Sequence, residues 1–164
     1  MAMEAKHYEL KILDPDELRP CGDCQACCTA MAVREIEKNN YQRCEHQCSE
    51  GCGIYQDRPA SCRAFNCGYE AGWIRDRPDK TGVIVDYNAI LNCIFLWEGR
   101  IGASNYKKVN RLINRLKKLH STASIHIVTK KNAPSRSICG TEEYKQCETA
   151  AEMFYDQMFV NLAS

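Results

Sequence analysis

The sequence predicts an α+β protein in which an irregular, cysteine-rich metal-binding segment packs on a small layer of about three strands and two to three helices. Three observations carry this. Nine of the twelve cysteines lie between positions 21 and 67, where little strand or helix periodicity is present. Two apolar runs with strand character follow, VIVDY (83–87) and ILNCIFLW (90–97). Beyond them Tyr106, Val109, Leu112, Ile113, Leu116 and Leu119 recur at helical spacing.

Taken in order, residues 1–20 form a charged lead-in with turns at Pro15 and Pro20. It holds no apolar run of signal-peptide length, and no window of the chain approaches the ~18 apolar residues of a membrane span. The sequence therefore predicts a cytoplasmic protein with no membrane partner. In that reducing compartment clustered thiols point to a metal site, and a disulfide scaffold is the alternative. Residues 21–95 form the cysteine-cluster domain. Residues 96–164 form an α+β extension packed on it, so that the whole is one globular unit.

Inside the cysteine-rich segment an extended run is expected at 31–36, and a helix from Pro59, which suits a first turn, to about Ile74. The two strands come next. Ser104 is the expected N-cap of the helix that reaches Leu119. A third strand covers 124–130 with Ile125 and Ile127 on one face, and Pro134 breaks the chain. After Gly140, Thr141 begins a last helix. Glu142 and Glu143 suit its first turn, and Tyr144, Cys147, Ala151, Phe154 and Met158 form its apolar face.

The chemistry lies in the spacing. Cys21, Cys24, Cys27 and Cys28 form C-x2-C-x2-C-C. Cys44, His46 and Cys48 form C-x-H-x-C, and Cys52, Cys62 and Cys67 follow. Thiolates are soft ligands that select zinc, copper(I) and iron–sulfur clusters. Two cysteines at x2 spacing can turn both sulfurs to one centre, and three in a row resemble the run that holds three corners of a cubane cluster. Ten potential ligands suit two mononuclear sites, or one polynuclear cluster and a second site. Cys28 is expected to point away from Cys27, toward a second centre or to none. A segment with so little apolar surface needs such a staple to fold. Cys93, Cys139 and Cys147 read as small buried hydrophobes.

The stretch from Gly53 to Cys67 makes the pattern more specific. With CxxCxxCC before it, C-G-I-Y-x-x-R-P-x-x-C-R-x-F-x-C resembles the bacterial cysteine-cluster family described as a zinc- or iron-chelating domain, the YkgJ-type family. Matching positions are Cys21, Cys24, Cys27, Cys28, Cys44, Cys52, Tyr55, Arg58, Pro59, Cys62, Arg63, Phe65 and Cys67. The likeness covers roughly residues 20–90. It implies chelation of zinc or iron and supplies no reaction. Arg58 and Arg63 are cations suited to offset thiolate charge, with surface ion pairing to Asp57 or Glu70 as the alternative. Tyr55 and Phe65 suit shielding of a metal site from water.

Metal binding is thus the expected function, with zinc or iron, or an iron–sulfur cluster, as cofactor. The alternatives are an electron-transfer iron–sulfur protein and an adaptor stapled by metal. The adaptor reading rests on residues 100–131, which contain nine Lys/Arg and no Asp/Glu. Nucleic acid is the less favoured partner: only Tyr106 interleaves that run, and the acidic residues of 142–156 offer a complementary face. The net charge of +1 gives by itself no hint of a polyanionic partner. No Ser-His-Asp order, Walker loop or HExxH motif appears, so no hydrolase or transferase chemistry is indicated.

Overall fold

The computed structural model describes residues 15–89 and 92–128, together with the backbone of 136–139. The expected final helix from Thr141, and the positions of Cys139 and Cys147, lie outside the described residues. The chain is α+β.

A four-stranded sheet forms the middle layer, in the order β3 (Val83–Asn88), β4 (Cys93–Glu98), β5 (Ser124–Val128) and β6 (Arg136–Cys139). β3 and β4 are antiparallel, with Val85 opposite Leu96. β4 and β5 are parallel, with Phe95 opposite His126. The parallel pair needs a crossover, supplied by α4 (Lys107–Leu119).

β4, β5 and the first half of β3 are buried on both faces, which is why they read as continuous apolar runs. Alternate residues divide between two cores. Val83, Val85, Ile94, Leu96, Ile125 and Ile127 meet Val109, Ile113 and Leu116 of α4. Ile84, Cys93, Phe95, Trp97 and Val128 face the other way and pack with Ala30, Met31, Tyr41, Phe65 and Cys67 of the cysteine-rich segment. Cys93 is fully buried there, as expected of a small hydrophobe. The Tyr41 hydroxyl donates to the Val128 carbonyl at 3.1 Å, tying segment to sheet.

The cysteine-rich segment has only short elements. They are α1 (Ala26–Ala30), a hairpin of β1 (Gln47–Cys48) with β2 (Gly51–Cys52), and α2 (Ala60–Ala64). A further short helix, α3 (Pro78–Thr81), leads into the sheet.

Three sequence expectations are corrected. The helix from Pro59 stops at Ala64 instead of reaching Ile74. Gly68 must approach the sheet, where its N–H donates to the Val85 carbonyl at 2.7 Å and a Cβ would meet Val85 at 3.0 Å. The run 31–36 is not extended throughout: Arg34–Ile36 is a 3-10 turn closed by pairing of Val33 with Lys38. Ser104 does not cap α4. Tyr106 precedes the helix, and Ser104 lies in a buried 3-10 turn whose Gly102 and Ser104 N–H groups donate to the Glu98 carboxylate.

Candidate metal centre

Four stretches of chain bring sulfur or imidazole to one cavity of about 240 Å³. The turn before α1 supplies Cys21 and Cys24, and α1 supplies Cys27 and Cys28. Cys44 and His46 come from the loop before β1, Cys52 from β2 and Cys62 from α2. Seven of the nine clustered cysteines and the histidine therefore border one space. Cys27 and Cys28 both line it. This corrects the expectation that Cys28 points away.

Local backbone contacts assemble the pieces. The Cys44 N–H donates to the Cys28 carbonyl at 3.3 Å, and the Gly53 N–H to the His46 carbonyl at 2.8 Å. Gly51, at φ 125°, lies so near the 21–24 turn that a Cβ would sit 3.3 Å from the Gly22 carbonyl. Only glycine fits that approach at that φ. The Glu35 carboxylate accepts from the Ser61 N–H (2.8 Å) and hydroxyl (2.7 Å), fastening the 34–36 turn to the start of α2.

Two cysteines lie outside the cavity lining. In the hairpin Gln47 pairs with Cys52 and Cys48 with Gly51. Adjacent strand positions face opposite sides, so Cys52 borders the cavity while Cys48 is exposed. Cys67 is buried against the sheet, and burial pushes its thiol up to about 11.

The remaining sulfurs are electrically unequal. Hydrogen bonding with the Cys24 and Cys27 thiols lowers Cys21 to about 3. Sharing their protons raises Cys24 and Cys27. Cys27 likewise lowers Cys28 to about 7. Burial raises Cys62.

Tyr55, Arg58 and Phe65 line the cavity as well, whereas Arg63 does not and is exposed. The Arg58 guanidinium lies 3.8 Å over the Tyr55 ring, and its Nε donates to the Tyr55 carbonyl at 3.0 Å. Among the described residues Arg58 and Arg63 form no ion pair with Asp57 or Glu70.

Sequence reasoning missed Lys38 and Glu70. Lys38 is 2% exposed and borders the cavity, and its Nζ donates to the carbonyls of Met31 and Asn39. Burial lowers its pKa, while the thiols of Cys44, Cys28, Cys27 and Cys62 oppose that. Glu70 accepts from the Cys67 N–H at 3.2 Å, and burial with the nearby Cys21 thiolate raises its carboxyl. Lys38 sits in the polar stretch 34–40, which reads as a surface loop, and Glu70 reads as a surface charge on the helix expected from Pro59, so neither was marked as a cavity neighbour.

The donor set is soft, thiol with one imidazole, and fits zinc or iron. Among the described residues no group of three or more His, Cys, Asp or Glu side chains is drawn into a coordination-ready cluster. The thiols surround the cavity instead. No family model matches the chain, and no curated protein and no solved structure matches it. Among the described residues no helix is long and apolar enough to cross a membrane.

Proposed function

We propose that this protein binds zinc or iron through its cysteine cluster, as the resemblance to the zinc- or iron-chelating cysteine-cluster family implies. One observation carries the reading. Cys21, Cys24, Cys27, Cys28, Cys44, His46, Cys52 and Cys62, spread over 42 positions of the chain, border a single cavity. Burying thiolates is costly unless cations offset them. Lys38 and Arg58 supply fixed positive charge beside the sulfurs, and Tyr55, Ile54 and Phe65 limit the access of water. A bound metal would supply the remaining charge and be held by the sulfurs through metal–thiolate bonds. A reducing cytoplasm would keep the thiols available to it.

Iron is favoured over zinc, narrowly. Eight donors around one space suit a polynuclear centre better than two separate tetrahedral ions, and the x2 run of Cys21, Cys24 and Cys27 suits three corners of a cluster. An electron-transfer role is the second reading, supported by that same grouping. The test is anaerobic purification from cells grown with both metals, followed by elemental and sulfide analysis and a visible spectrum. Stoichiometric iron with labile sulfide is expected. Stoichiometric zinc without iron removes the iron preference and the redox role, and protein with neither metal defeats the proposal.

A further inference from the structure

The face of α4 turned away from the sheet is unlike the rest of the described residues. Val109, Ile113 and Leu116 commit one side of the helix to the core. The exposed side presents Lys107, Lys108, Asn110, Arg111, Asn114, Arg115 and Lys118. All are cationic or amide, and none is acidic. Lys107, Arg111, Arg115 and Lys118 follow one another at spacings of four, four and three, so they form a single stripe along the helix. From first to last it runs roughly 16 Å.

This arrangement opposes the helix's own stability. Like charges at i,i+4 repel. Lys107 and Lys108 sit in the first turn, where the helix dipole disfavours cations. Among the described residues, none of these side chains forms an ion pair that would relieve the repulsion. The core needs only the apolar side of α4. Among the described residues nothing in the packing calls for an unbroken positive stripe, whereas an external polyanion would neutralise it.

The nature of the polyanion follows from what else the face carries. Insertion into an anionic membrane needs an apolar face free to enter the lipid, and the apolar face of α4 is already buried. A protein interface is centred on buried aromatic or aliphatic anchors, and the stripe contains none. Regularly spaced cations interleaved with amide donors match a phosphate backbone. Tyr106 is the one exposed aromatic beside the stripe, so bases are not read.

We propose that the exposed face of α4 binds the phosphate backbone of nucleic acid without regard to sequence. It does so on the opposite side of the sheet from the cysteine cavity. The proposal stands apart from the metal reading.

The test is fluorescence anisotropy of the full-length, reduced protein with labelled 20-nucleotide single strands and a 20-base-pair duplex, at 50 and 200 mM salt. Four phosphate contacts predict a log–log salt slope of about −3 on single strands, a loss of roughly 50-fold over that range. The duplex should lose somewhat more. Arg111→Glu with Arg115→Glu should at least halve the slope and weaken binding at 50 mM more than tenfold. Circular dichroism and thermal unfolding would confirm that this variant folds. An Asn110→Asp, Asn114→Asp variant, which adds negative charge without removing a cation, should weaken binding in the same direction. Absence of binding to both nucleic acids at 50 mM overturns the proposal. So does unchanged binding by the folded charge-reversed protein. Equal affinity for polyglutamate or for phosphatidylserine vesicles also overturns it, by assigning the stripe to acidic proteins or to membrane surfaces.

Discussion

The two halves of this molecule are stabilised in opposite ways. Residues 83–128 hold together through backbone ladders and apolar burial on both faces of the sheet, with Ile84, Leu96, Val109 and Ile125 fully buried. Residues 21–67 have no helix longer than five residues and a hairpin of two-residue strands. Their side chains gather around a cavity bordered by sulfur instead of closing it. The sheet half needs nothing from outside to explain its packing. The cysteine half makes physical sense as a cage whose contents complete it. The shared layer of Ala30, Phe95, Trp97 and Tyr41 is where the first supports the second.

The sharpest way to break this contrast is to withdraw the metal that the proposed function places in the cavity. For small cysteine sites the binding energy is folding energy, on the order of 10 kcal/mol. Chelation under reducing conditions should expose 21–67 to protease and hydrogen exchange while 83–128 keeps its protection. Unchanged protection of 21–67 after complete metal removal would show that this region, too, is held by packing alone.

The converse experiment attacks the sheet half. Leu116, 1% exposed, fills the α4–sheet core. Leu116→Ala should cost about 2–5 kcal/mol, read by denaturant unfolding, yet leave metal content per folded molecule unchanged. A proportionate loss of metal would mean that the two halves are one cooperative unit.

Within the cage, Lys38 links packing to electrostatics. Lys38→Met keeps much of the side-chain volume but removes the cation beside Cys27, Cys28, Cys44 and Cys62. Supporting groups around a metal site typically contribute 10–100-fold to its affinity. A loss of about that size is expected in chelator competition, with global stability of the sheet half little changed. Wild-type affinity in the variant would leave Lys38 a purely structural residue.

The smallest effect concerns the clasp between Glu35 and Ser61. Hydrogen bonds from Ser61 hold the Glu35 carboxyl below its ordinary value. A depressed folded-state pKa gives stability that is present above the unfolded value and is lost as pH falls through the folded one. Acidification through and below the ordinary carboxylate range should therefore loosen the start of α2, seen as faster exchange of the Ser61 amide relative to the intrinsic rate. Glu35→Gln should remove that pH dependence. Identical acid profiles in both proteins would exclude the clasp as its cause.

Much of this architecture was legible in the sequence because it rests on repeating patterns. Period-two and continuous apolar runs located β3, β4 and β5, and the 3.6-residue repeat from Tyr106 to Leu119 located α4. The x2 spacing of Cys21, Cys24 and Cys27 marked thiols able to face one space, although the short helix α1 that carries Cys27 and Cys28 was not foreseen. What escaped notice depends on contacts between distant residues. Gly68 approaches Val85 closely where a continued helix was expected, and Glu98 reaches forward to bind the 3-10 turn that holds Ser104, so that Ser104 does not reach the start of α4. Lys38 looks solvated in REIEKNN until the chain folds over it. The opposed placement of Cys48 and Cys52 follows from the register of a hairpin too short to show any alternation. The adjacency of Cys27 and Cys28 implied divergence only if the centre were a single point. A cavity of this size accommodates both.

The central claim is that the cavity thiols, and not the remaining cysteines, hold the metal. Differential alkylation resolved by peptide mass spectrometry tests it most directly, on anaerobically isolated protein before and after chelation. Metal should protect Cys21, Cys24, Cys27, Cys28, Cys44, Cys52 and Cys62, all of which should become reactive when it is withdrawn. Cys48, exposed on the outer side of its hairpin, should be alkylated in both states. Equal labelling of the cavity cysteines with and without metal would contradict the account, as would metal-dependent protection confined to Cys48 and Cys67.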